Sequence, residues 1–220
     1  KRFDLKEEPK ECNRFGFVVE IDPYNPDSVP RKHTALGRFK HENAAVTLSK
    51  DNRAVVYMGD DERNEYIYKF ISAGTFNPEN REANMKLLES GTLYVAQFLG
   101  DKKGKWVPLA QDDLTEEDVC VRTRQAADRA GATKMDRPEW VAVHPTTSRV
   151  FVTLTNNSSR GESSSKVDDA NPRTKNPFGH IISWDEAGGD AAATAFQWNI
   201  FVLAGDPDIP PMKNGEPEVN

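Results

Sequence analysis

Two matched units of short strands limit most sharply what this chain can fold into. The first runs Glu42-Asn-Ala-Ala-Val-Thr, turns at 50–53, continues Ala54-Val-Val-Tyr-Met58 and closes on Asp60-Asp61. The second runs Glu139-Trp-Val-Ala-Val-His144, turns at 145–148, continues Val150-Phe-Val-Thr-Leu-Thr155 and closes on Asn156-Asn157. Arg53 and Arg149 hold near-equivalent places in the two turns, and an aromatic-ended strand follows each unit, Tyr66–Phe70 and His180–Trp184. Repeated meanders of short antiparallel strands are the pattern of propeller blades. The predicted class is therefore mostly β: a partial β-propeller of antiparallel meander blades with one inserted helix, forming a single domain over 1–220 that is incomplete at both ends.

The rest of the chain supplies further strands. Phe15–Asp22, Thr92–Phe98, Lys105–Ala110 and Phe196–Leu203 are apolar runs bounded by turn residues. Ala73 to Gly91 reads as a polar connection. Thr115 is placed as a helix N-cap with Asp118 three residues on, and Gly131 is placed to end that helix, so a single helix is expected near 115–130. Residues 156–176 form a long Ser/Asn/Asp/Lys-rich loop without hydrophobic anchors, and the proline-rich tail from Asp206 is expected to fray.

Composition excludes some functions. A net charge of −6 opposes sequence-independent nucleic-acid binding, which needs a basic face. No apolar run approaches the roughly 18 residues of a membrane span. Lys1-Arg2-Phe3-Asp4 leads into charge rather than an apolar export signal, and the start is expected to be a cut from something longer. Cys12 and Cys120 are far apart and lack metal-ligand spacing.

The chemistry centres on Asp136-Arg-Pro-Glu-Trp-Val-Ala-Val-His-Pro145. Pro138 is expected to hold Arg137 extended, so that Arg137 and Glu139 face one site. The plain alternative is a surface ion pair beside a strand start. Strand starts and the ends of their antiparallel neighbours share a sheet edge, which groups Glu42 with Asp60 and Asp61, and Glu139 with Asn156 and Asn157. Carboxylate and amide oxygens are the donors that hard cations prefer. His41 and His144 have no suitably spaced second histidine and are expected to pack or hydrogen-bond.

Arg14–Pro23, Ala35-Leu-Gly-Arg-Phe-Lys-His-Glu42, Asp136-Arg-Pro-Glu139 and Phe196–Pro207 resemble the PhoX-type alkaline phosphatases, in order over almost the whole chain. That resemblance implies a propeller with a Ca²⁺ and Fe³⁺ cluster on its axis, export by the twin-arginine route to the periplasm or beyond, and cleavage of small phosphate monoesters. It matches Glu42, Asp61 and Glu139 to acidic cluster ligands and Arg137 to an arginine that holds substrate phosphate. Asp60, Asn156 and Asn157 are further candidates for lining the site. The family's threonine-cysteine-glutamate segment, which gives an iron ligand, has no match here, nor does its Asp/Asn/Gly-rich segment after Ala-Gly-Asp-Pro. The 220 residues alone are accordingly expected to have little activity, and unpaired sheet edges to favour a dimer. The competing readings are a calcium-dependent propeller lactonase and a non-catalytic binding propeller. An arginine beside Glu139 favours phosphate over a lactone, which needs no cation clamp.

Overall fold

In the computed structural model, residues 4–110 and 114–205 are described, together with the backbone of the antiparallel pair Met212–Lys213 and Glu216–Pro217. The expectation of fraying from Asp206 onward otherwise falls outside the described residues. The predicted strands are present, together with a short one, β2, that was not predicted: β1 Val18–Glu20, β2 Arg31–His33, β3 His41–Leu48, β4 Arg53–Asp60 and β5 Ile67–Thr75. They are followed by β6 Gly91–Phe98, β7 Lys103–Pro108, β8 Pro138–Val143, β9 Val150–Leu154, β10 His180–Glu186 and β11 Ala195–Leu203.

β1 and β2 pair with each other, and the other nine make one antiparallel sheet in the order β3-β4-β5-β6-β7-β11-β10-β9-β8. The two matched units thus lie at its two ends, each a meander, and β7 joins them by pairing with β11. The sheet curls until its outer strands meet. Asn43 on β3 closes the seam: its amide donates to Val141 O at 2.7 Å and accepts from Val141 N at 3.0 Å. One side chain there does the work of a ladder rung, satisfying both backbone groups of an edge residue. A second chain adding at the β3 or β8 edge, as the expected dimer requires, would have to displace this contact. The architecture is mostly β, nearly closed as a barrel, with few helices, and is consistent with a partial propeller-like fold.

Strand alternation sorts the side chains into two cores. Val55, Tyr57, Ile67, Trp106, Val152 and Trp184 belong to the cluster enclosed by the curled sheet. Val56, Met58, Tyr68, Phe70 and Val95 face the other way, against Leu36, Phe39 and helical residues. β4 has its residues from Ala54 to Asp60 buried because both of its faces are covered.

The helix expected near 115–130 is present as two segments, α2 Glu116–Val121 and α3 Thr123–Arg129, besides the short α1 Arg81–Asn84 within the polar connection. Thr115 caps α2 by accepting from Asp118 N at 3.2 Å. The break falls at Arg122 (φ −111°, ψ 37°), where buried Thr123 binds both Val119 O and Arg38 N. A hydroxyl committed to backbone on two elements pins the turn and lets α3 set off in a new direction.

Gly59 explains how the seam closes. A Cβ there would lie 2.5 Å from Glu139 O and 2.8 Å from Pro138 O. Both are backbone atoms that cannot rotate away, so Gly59→Ala must push β8 outward. The expected cost in the intact protein is about 2–3 kcal/mol by urea denaturation. A loss within ~0.5 kcal/mol would show that β8 moves freely.

Candidate active site

The start of β8 crosses the end of β4 beside Glu42 of β3, so the seam is also where the acidic residues gather. Glu42, Asp61 and Glu139 each offer a carboxylate oxygen, and the three lie within 4.8 Å of one another. Residues 97 positions apart in sequence meet because the sheet curls. Arg137 lies against them. Its Nε and Nη2 donate to the two oxygens of Asp61 at 3.0 and 3.2 Å, and Nη2 lies 4.0 Å from Glu139 Oε1. Two of the three carboxylates, those of Asp61 and Glu139, thus share the Arg137 guanidinium. Partial burial, reinforced by the charges of Asp61 and Glu42 and opposed by Arg137, raises the Glu139 pKa above the usual carboxylate range. The group is short of positive charge.

Arg137 reaches this place by a route that the sequence reading did not give. Its φ is +53°, in the left-handed region, and not the extended geometry expected before a proline. β8 also shifts register between Pro138 and Val141. Such irregularities re-aim side chains at strand ends. Arg137 O accepts from Thr155 N at 3.3 Å, and the residue before it is held by the loop described below.

The other candidates are placed apart from the three carboxylates. Asp60 and Asp61 are neighbours at a strand end and therefore face opposite sides. Asp60 is fully buried, with both oxygens taken by Arg124 Nε and Nη2 at 2.7 and 2.6 Å, and it ties α3 to β4. Asn156 is exposed. Asn157 is fully buried and donates to Asp136 Oδ1 at 2.8 Å, inside a network that the sequence reading missed. His41 stacks on Phe39, and burial holds its pKa at about 4. His144 Nδ1 accepts from Thr146 N and Thr147 N, as a turn residue.

The loop over 156–176, expected to lack hydrophobic anchors, is attached through polar ones. Asp136, fully buried, accepts from Arg160 Nε at 2.7 Å, Asn157 at 2.8 Å and Asn176 at 3.0 Å. Asp136 N donates to Asn171 Oδ1 at 3.1 Å. Asn and Arg side chains thus carry the loop's attachment.

Beside Asp60, Glu65 has a buried oxygen without a hydrogen-bond partner, and burial raises its pKa to about 7 despite Arg124. A raised carboxyl pKa means that the folded state holds the proton more tightly. This contribution to stability is present below about pH 4.5 and is lost as pH rises through 7. Glu65→Gln should therefore leave stability unchanged near pH 4.5 and raise it by about 1–3 kcal/mol at pH 8. Denaturant midpoints at the two pH values test this, and equal shifts at both would contradict it.

Among the described residues, no helix is long and apolar enough to cross a membrane. The family model described as "Alkaline phosphatase PhoX" matches residues 1–218. A solved structure of Pseudomonas fluorescens PhoX, in complex with vanadate, a transition state analogue, is similar at 48% identity and a TM-score of 0.91. The match covers 94% of this chain and 39% of that one, so the chain spans about two fifths of its length. No curated protein sequence matches the chain. With nearly every residue inside the family model and close superposition on a solved member, the chain belongs to the alkaline phosphatase PhoX family.

Proposed function

We propose that the intact protein, exported to the periplasm or beyond, hydrolyses small phosphate monoesters, with Arg137 binding the phosphoryl group and Glu42, Asp61 and Glu139 holding Ca²⁺ and Fe³⁺. The observation that carries this reading is the convergence of the three carboxylates within 4.8 Å of one another, beside a guanidinium. The donor set fits the metals. Hard cations take carboxylate oxygens, and the raised Glu139 pKa marks a group that a cation would relieve. When bound, such cations supply Lewis acidity that neutralises charge on the phosphoryl oxygens and makes an oxygen nucleophile available near neutral pH.

The chain's own residues do the rest. Arg137 presents a planar fork that pairs with two phosphate oxygens at once. Asp61 holds that fork in place through both of its oxygens, and were Asp61 to ligate a cation the guanidinium would be available to substrate. Glu139 and Glu42 sit on strands locked at the seam and would hold a cation beside this fork.

With one oxygen from each, the three carboxylates supply three of the six to eight ligands that a single Ca²⁺ takes, and a site for two kinds of cation needs more. The 220 residues by themselves are therefore expected to turn over little substrate.

The test is turnover of p-nitrophenyl phosphate and of a lactone by the full-length protein, before and after a chelator, then with Ca²⁺ and Fe³⁺ restored. The expected result is phosphatase activity that falls at least ~100-fold on chelation and returns with metal. Lactone hydrolysis without phosphatase activity, or phosphatase activity indifferent to the chelator, would overturn the reading.

A further inference from the structure

The left-handed backbone at Arg137 needs a cause. A non-glycine residue there costs about 1–2 kcal/mol and persists only where its surroundings over-determine it. On the C-terminal side Pro138 is paired with Leu154. On the N-terminal side the carboxylate and the N–H of Asp136 are both engaged. Its carboxylate takes three side-chain donors, from Arg160, Asn157 and Asn176, and its N–H is held by Asn171. Arg160 is itself 1% exposed and uses its remaining fork on Lys134 O and Lys166 O, both at 2.9 Å. One guanidinium thus clamps the strand approach, the carboxylate and the loop together.

We infer that Asp136 and Arg160 are positioning residues for Arg137: the buried pair fixes the backbone that aims the guanidinium at the substrate phosphate. The inference rests on the phosphate role proposed above for Arg137. A loop can be anchored through apolar side chains without desolvating an ion pair. Burying a charged pair instead, with its hydrogen bonds complete, holds the neighbouring backbone in one direction. The loop residues 157, 160, 171 and 176 all converge on the position immediately before Arg137. Without that hold, Arg137 relaxes to an ordinary φ and its side chain leaves the three carboxylates.

A double-mutant comparison in the full-length metal-loaded enzyme separates positioning from general support. Asp136→Asn and the milder Asn157→Ala are each made alone and with Arg137→Ala. Inhibition by inorganic phosphate and KM and kcat for p-nitrophenyl phosphate are measured at a temperature where circular dichroism shows the fold intact. With Arg137 present, Asp136→Asn should weaken phosphate binding about 10-fold and Asn157→Ala about 3-fold, with KM rising in step. In the Arg137→Ala background either change should alter phosphate binding less than ~2-fold. Equal losses in both backgrounds would overturn the inference. Where Asp136→Asn fails to fold, Asn157→Ala decides, and unchanged phosphate binding by that variant overturns it too. An Arg137→Ala enzyme that binds phosphate as well as wild type would instead overturn the phosphate role itself, and the positioning with it.

Discussion

Arg137→Ala in the full-length enzyme should lower kcat/KM for a phosphate monoester about 10²–10³-fold while leaving the fold intact. The two halves of that expectation have separate causes. Arg137 is 28% exposed, and its partner Asp61 is 22% exposed, so their ion pair contributes at most about 1 kcal/mol to stability. The guanidinium's planar fork, by contrast, is worth most against the charge that builds on a phosphoryl group in transit. Arg137→Lys keeps the charge and loses the fork, and should fall between the two. The measurement pairs steady-state kinetics with a thermal melt. If turnover and melting temperature fall together, Arg137 is a structural ion-pair residue, the plain alternative that its sequence setting allowed.

The largest stability effect is expected far from this site, inside the curled sheet. Lys69 on β5 is fully buried, and its Nζ lies 3.2 Å from Glu186 Oε1 at the end of β10. It also donates to Ala191 O at 3.0 Å and Ala193 O at 2.6 Å, and stands 4.6 Å from the ring centroid of Trp106. Glu186 accepts in addition from Tyr57 Oη at 2.8 Å, Trp106 Nε1 at 3.0 Å and Trp184 Nε1 at 3.1 Å. Burial pushes Lys69 down and Glu186 up, each towards its neutral form, and their mutual attraction opposes both shifts. Desolvation makes such a pair a weak source of net stability, yet removing one partner strands the other. Lys69→Met should cost about 3–5 kcal/mol by urea denaturation, a large fraction of a domain's total. Glu186→Leu should cost at least as much, because it leaves the Tyr57 hydroxyl and both indole N–H groups without their acceptor. A loss below ~1 kcal/mol for either would show that water enters the sheet's interior and solvates the survivor.

The strands were legible because their alternation is strong and their turns carry polar and glycine residues. The repeat grouped Glu42 with Asp60 and Asp61, and Glu139 with Asn156 and Asn157; the family resemblance singled out Glu42, Asp61 and Glu139 from that set, and the curling of the sheet brings these three together. Asp60 could have been separated from Asp61 by the same alternation, since adjacent strand residues face opposite sides. Lys69 also left a signal: it shares a face with Ile67 and Ile71, a cation between two core positions, although a lysine in a strand reads first as solvent-facing. Its partner lies 117 residues away, and no periodicity reports that distance. The Asp136 network was illegible for a different reason. Side-chain hydrogen bonds from an irregular loop have no repeat, and Asn, Arg and Ser there look the same whether solvated or buried. The left-handed Arg137 was hidden by the proline rule, which describes a local preference that tertiary contacts override.

In the proposed site the seam carboxylates hold cations while Arg137 holds the phosphoryl group. This arrangement is tested most directly by a crystal structure of the full-length protein with Ca²⁺, Fe³⁺ and vanadate, using anomalous scattering to locate the metals. Cation peaks are expected within coordination distance of Glu42, Asp61 and Glu139, with the Arg137 fork on the vanadate oxygens and no longer on Asp61. Metal peaks elsewhere, with Arg137 still paired to Asp61 and vanadate out of its reach, would contradict it.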